Sequence, residues 1–123
     1  MAKKFNFIKG RQAEGEARVY LEKQGFKFIS ANYKNKIGEI DLIMVDGDAL
    51  VFIEVKLKTG TYSGNPEDMI DSRKLYQIKR TAESYAVENG LNIYKQKFRI
   101  DAVCIVKNID NSIERINHYK NLY

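Results

Sequence analysis

Cysteine, proline and histidine each occur once in the 123 residues, and tryptophan does not occur at all. The lone Cys104, in "DAVCIV", forbids an internal disulfide, fits a reducing compartment and reads as core, not as a nucleophile. With one histidine, no Cys/His zinc pattern can be drawn. A Ser-His-Asp triad would have to recruit His118, which reads as a surface residue near the end of the chain. Neither a Gly-x-Gly-x-x-Gly nor a Walker loop is present. No apolar run approaches the ~20 residues of a membrane span, and "MAKKFNFIKGRQAEGE" lacks the apolar core of a signal peptide. A cytoplasmic protein that stays out of the membrane is expected. With Pro66 as the sole proline and no low-complexity linker, residues 1–123 are read as a single domain.

What is present in quantity is charge, arranged in blocks. Residues 1–36 carry nine Lys/Arg against three Asp/Glu, residues 37–71 two against eight, and residues 72–107 eight against three. The formal total is +5. Two basic segments flanking an acidic middle suggest a polyanionic partner, most simply nucleic acid. The acidic centre would repel that partner unless a cation neutralised it. The plain alternative is that these charges are solvated surface.

Periodicity gives the element order. "RQAEGEARVYLEKQGF" places Ala13, Ala17, Tyr20, Leu21 and Gln24 at helical spacing, with Gly25 as the stop. A short strand is expected over about Phe26 to Ser30, then two apolar strands around Asp46-Gly47-Asp48, a strong hairpin signal. A long helix over about Ser72 to Asn89 has Leu75, Ile78, Ala82, Tyr85 and Ala86 as its apolar stripe, and Gly90 closes it. "KFRIDAVCIVK" is a buried strand and "SIERINHY" a weaker last one. The order α-β-β-β-α-β-β predicts an α/β sandwich around a mixed sheet, with a parallel pair formed across the second helix.

The hairpin "GEIDLIMVDGDALVFIEVKLK" puts Asp41, Glu54 and Lys56 inside apolar runs, and an unpaired buried charge costs several kcal/mol. If Asp46-Gly47 is the loop, Asp41 lies diagonal to Glu54. If the loop is Gly47-Asp48 or residues 46–49, the two lie directly opposite. Any even-length loop keeps both carboxylates on one face, and Lys56, two residues past Glu54, joins them. Opposed positions have Cβ atoms about 4.5–5.5 Å apart, close enough for two carboxylates to share one Mg²⁺. The plain alternative is a Glu54–Lys56 ion pair at a sheet end with Asp41 in water. Val51, Ile53 and Val55 make the opposite face apolar, so the strand reads as central, and Glu14 on the first helix could bring a third carboxylate.

The segments "AEGEARVYLEKQGF", "GEIDLIMVDGDALVFIEVK", "GNPEDMIDSRKLYQIKRTAESY" and "FRIDAVCIV" resemble, in order and spacing, the YraN-type bacterial proteins. These belong to the Holliday-junction-resolvase-like branch of the PD-(D/E)XK nuclease superfamily. The resemblance covers Gly10 to Val106, with Ala13 standing where the family usually has glycine. It implies a restriction-endonuclease-like sandwich and a metal-dependent endonuclease. By position, Glu14 matches the family's helix carboxylate, Asp41 the acid of its Gly-Glu-Ile-Asp motif, and Glu54 and Lys56 its Glu-Val-Lys. On that footing Asp41, Glu54, the Val55 carbonyl and Glu14 would hold Mg²⁺ or Mn²⁺, and Lys56 would assist catalysis. Lys74, Arg73, Lys79 and Arg80, with Lys3, Lys4, Lys9 and Arg11, would grip phosphates, and Tyr62 in the loop would stack on a base. Branched or single-stranded DNA is the expected substrate, ahead of RNA, and a homodimer is compatible with two-fold junctions. The alternative is a nucleic-acid-binding or assembly module that keeps the fold without catalysis.

Overall fold

The computed structural model describes the backbone of residues 2–60 and 64–123, and side chains within that range from residue 8 onward. Helix α1 (Ala2–Glu22) leads into strands β1 (Lys27–Lys34), β2 (Glu39–Asp46) and β3 (Ala49–Thr59). A 3₁₀ turn (Pro66–Met69) precedes helix α2 (Ser72–Glu88), and β4 (Lys97–Lys107) and β5 (Ile113–Tyr119) complete one sheet ordered β1-β2-β3-β4-β5. All neighbouring pairs are antiparallel except β3 and β4, which are parallel and joined through α2. This is the α/β sandwich with a mixed sheet that the periodicity predicts. Among the described residues no helix is long and apolar enough to cross a membrane.

The helices form because each presents one apolar stripe to the sheet. Ala13, Ala17 and Leu21 of α1 pack on Leu42, Met44, Val51, Ile53, Val103 and Ile105. On the other face, Ile78 and Ala82 of α2 cover Ile40, Ile43, Leu50, Phe52 and Ile100. Each fully buried Leu, Ile or Phe contributes about 1.5–3 kcal/mol, so β3 and β4, covered on both faces, read as continuous apolar runs. Ala13 is 1% exposed, a position with little room for a larger side chain. Asp71 caps α2, its carboxylate accepting from Lys74 N at 2.8 Å, and Gly90 at φ 65° follows the helix end.

The observed elements differ from expectation in two extents and one residue. Helix α1 reaches back to Ala2, and β1 runs on to Lys34 because pairing with β2 carries it through the polar "ANYK". His118 is not a surface side chain: it is 5% exposed, with Nε2 2.7 Å from Asp101 Oδ2. Asp101 is fully buried on β4, and a buried carboxylate requires partners. It takes Arg99 in a two-pronged ion pair at 2.9 Å, the Asn121 amide at 3.0 Å, and the His118 imidazole, which packs edge-on against Phe26.

Candidate active site

The turn Gly47-Asp48, with Gly47 at φ 62°, sets the hairpin register: Asp46 faces Ala49 and Leu42 faces Ile53. That is the pairing whose continuation places Asp41 opposite Glu54. The ladder, however, ends at Leu42–Ile53. Leu42 points to the α1 side and Ile43 to the α2 side, yet Ile40 also lies on the α2 side, so strict alternation breaks at Asp41. Asn32 lies at the same level of β1, between the pairs Ala31–Leu42 and Tyr33–Ile40, with φ 56°. Asn is one of the few side chains that tolerate that left-handed conformation. At this level Asp41 Oδ2 accepts a 2.7 Å hydrogen bond from Val55 N, satisfying an amide of β3 that would otherwise be orphaned.

Glu54, on the α2 face of β3, is 5% exposed. Its Oε2 lies 3.2 Å from Lys74 Nζ on α2 and its Oε1 3.9 Å from Lys56 Nζ. Burial first, then the hydrogen-bonding and negatively charged Asp41 beside it, push its carboxyl up to about 8 against the pull of Lys56 and Lys74. Glu14, reaching over from α1, is pushed up to about 7 by burial and by Asp41, with Asn32 and Arg11 opposing. Asp41 is therefore the middle member of a chain of three carboxyl groups, within side-chain hydrogen-bond reach of both glutamates. The plain alternative of a solvated Asp41 does not describe this arrangement, although the Glu54–Lys56 pair is real.

Two observations bear on whether a cation fits. Glu14 Oε1 is buried without a hydrogen-bond partner, and the neighbouring carboxyls offer only oxygen donors, the chemistry of a hard divalent ion. Among the described residues, no three or more His, Cys, Asp or Glu side chains are set to hold an ion between them. Asp41 and Glu54 could still offer one or two carboxylates to a cation, and Mg²⁺ needs no more because it retains several waters.

The basic residues disperse. Arg73, Lys74 and Arg80 line one surface groove beside Glu54. Lys79 turns to another side of α2, its Nζ 4.6 Å from the Tyr123 ring centroid. Arg11 lies close enough to Glu14 to favour its charged form, and Lys9 is half-buried one turn before Ala13. Tyr62 and the side chains of Lys3 and Lys4 lie outside the described residues. Asn32 and the Lys107–Glu16 pair at 2.6 Å have no place in the sequence reading. An asparagine interrupting a strand pattern signals the first; Lys107, 1% exposed at the end of β4, carries no such signal.

Fold and cluster together define an α/β protein whose β2–β3 pairing stops at one point, where buried and half-buried acids meet lysines between two helical layers. The sequence model of "Uncharacterised protein family UPF0102" matches residues 13–105, and the chain belongs to that family. It is 41% identical to a UPF0102 protein of Colwellia psychrerythraea over 79% of this chain and 75% of that one. It is 34% identical to a UPF0102 protein of Persephonella marina over 97% of this chain and 96% of that one. A UPF0102 protein of Aliivibrio salmonicida is 41% identical over 80% of each chain.

Proposed function

We propose that this protein is a metal-dependent phosphodiesterase that cleaves nucleic acid, DNA before RNA. The observation that carries the reading is the meeting of Asp41 and Glu54 with Lys56 and Lys74 where β2 leaves β3. Asp41 and Glu54 would hold Mg²⁺ or Mn²⁺, with the Val55 carbonyl and Glu14 as further oxygen donors. When bound, the ion supplies Lewis acidity and lowers the pKa of water.

The chain's own groups do the rest. The Val55 N–H holds Asp41 through one oxygen, Oδ2, and so limits the rotation of its carboxylate. Lys56 presents a compact cation beside Glu54, placed to orient the attacking water or to offset charge growing on the phosphate. Lys74 and Arg73 at the start of α2 hold the flanking backbone phosphates, contacts that position a strand without reading its sequence. The resemblance of the Gly-Glu-Ile-Asp and Glu-Val-Lys segments to the YraN-type proteins implies the same roles for Glu14, Asp41, Glu54 and Lys56, all of which lie within the residues that the UPF0102 model matches.

Cleavage of branched, flapped and single-stranded DNA in Mg²⁺ or Mn²⁺ tests the reading. Glu54→Ala and Lys56→Ala are each expected to reduce the rate by at least about a hundredfold, the lower range for removing one positioned acid–base or electrostatic group. Activity that survives both substitutions excludes this site. Salt-sensitive binding that needs no divalent ion and tolerates Asp41→Asn would assign the protein to the non-catalytic alternative.

A further inference from the structure

Beside the carboxylate cluster, α2 and the β1–β2 turn enclose a surface groove of about 650 Å³. Three large apolar side chains open into it with much of their surface in water: Ile37 is 40% exposed, Met69 45% and Tyr76 52%. Exposed apolar surface gathered in one groove marks a binding surface more often than scattered exposure does. The same groove is lined by Arg73, Lys74 and Arg80. Its one carboxylate, Asp71, is turned to the Lys74 amide as a helix cap, and the three side-chain cations outnumber it in the lining. Gln77 Nε2 donates to the Ile37 carbonyl at 3.3 Å and ties the turn to the helix. Tyr76 is held by Arg80, whose Nη1 donates to its hydroxyl at 3.3 Å.

We infer that this groove docks an unpaired nucleotide of the strand to be cut, with the base on the Tyr76 ring between Ile37 and Met69 and its phosphates on Arg73 and Arg80. The inference rests on the nuclease reading and names the substrate feature that reading leaves open. A polyanion explains the cations, and an aromatic ring flanked by apolar side chains explains why the ligand must also offer a flat apolar face. Nucleic acid has both. In a duplex the base faces are hidden in the stack, so only an unpaired base can use the tyrosine. Lys74 connects the two sites, because it lines the groove and also lies 3.2 Å from Glu54. A base docked here therefore sets its neighbouring phosphate against the carboxylates.

Fluorescence anisotropy on the full chain in EDTA reads docking without cleavage, using fluorescein-labelled thymidine and uridine 12-mers and a blunt duplex of the same length. Tyr76→Ala is expected to raise the Kd for single strands about 5- to 100-fold, with Tyr76→Phe and every duplex value within about twofold of the parent. An unchanged single-strand Kd for a folded Tyr76→Ala protein overturns the inference. So do an equal loss on the duplex and a failure of the parent to bind any strand. The two readings fail separately. Glu54-dependent cleavage with an inert Tyr76 removes the docking groove alone, and Tyr76-dependent binding without cleavage removes the nuclease alone.

Discussion

Glu54→Gln should make the metal-free protein more stable, and the gain should grow with pH. Unfolded, this carboxyl ionises near 4.5; folded, it is held at about 8 by burial and by Asp41. At pH 7 the folded state therefore keeps a proton that the unfolded state has released. The gap of about 2.5 pH units, at 1.36 kcal/mol per unit, sets an upper figure of about 3 kcal/mol of stability lost relative to acid conditions. The carboxyl of Glu14 is raised in the same cluster, and sharing between interacting groups brings the expected gain to about 1–3 kcal/mol, or roughly 3–15 °C in Tm. A raised carboxyl pKa favours the fold fully below about 4.5 and loses that contribution as pH climbs through about 8. Parent and variant should therefore melt together at pH 5 and separate progressively to pH 8.5. Glutamine is isosteric, and the half-exposed Lys74 can turn to water when its partner goes. Thermal or urea melts in EDTA at four pH values measure this directly. Adding Mg²⁺ should raise the parent's Tm and leave the variant's nearly unchanged, since only a ligand that binds the folded state stabilises it. Parallel pH profiles, or a variant less stable than the parent at pH 8, would refute the claim that these carboxyls strain one another.

Two further substitutions probe the frame that holds the site. Gly38→Ala would place a Cβ 2.9 Å from Thr81 Oγ1, which is fully buried and donates to the Gln77 carbonyl, so a loss of about 1–3 kcal/mol is expected in denaturant melts. Asp101→Ala would leave Arg99 and His118 without their buried carboxylate and should cost about 3–5 kcal/mol, enough to lower the yield of soluble protein visibly.

Much of the fold was legible because it is written in short-range pattern. Ala13, Ala17 and Leu21, or Ile78, Ala82 and Ala86, recur at helical spacing because only a helix brings them to one face, and all six are buried. Asp-Gly-Asp marked the hairpin because few residues other than glycine adopt the φ of 62° that its turn requires. Parity alone then predicted Asp41, Glu54 and Lys56 on one face, whichever even-length loop was used, and the pairing that this rests on holds as far as Leu42–Ile53. The choice between the loops was open in the sequence and is closed by the pairing of Asp46 with Ala49; the ladder stops at Leu42–Ile53, so Asp41 and Glu54 lie beyond it and are not a strand pair.

What the chain decides by itself is therefore the order of its elements and the turn that sets the hairpin register, because both follow from bonds and dihedrals a few residues long. Long-range packing decided the rest. Strand β2 parts from β3 at Asp41, the Val55 amide turns to a side chain, Glu14 arrives from α1, and Lys74 arrives from α2. His118 is drawn inward by an aspartate 17 positions away. The groove at Tyr76 joins Ile37, Met69 and Arg80 only once α2 has docked against the β1–β2 turn. Electrostatic and contact energies depend on distance in space, and no periodicity along a chain reports that distance between segments that meet only in the folded molecule.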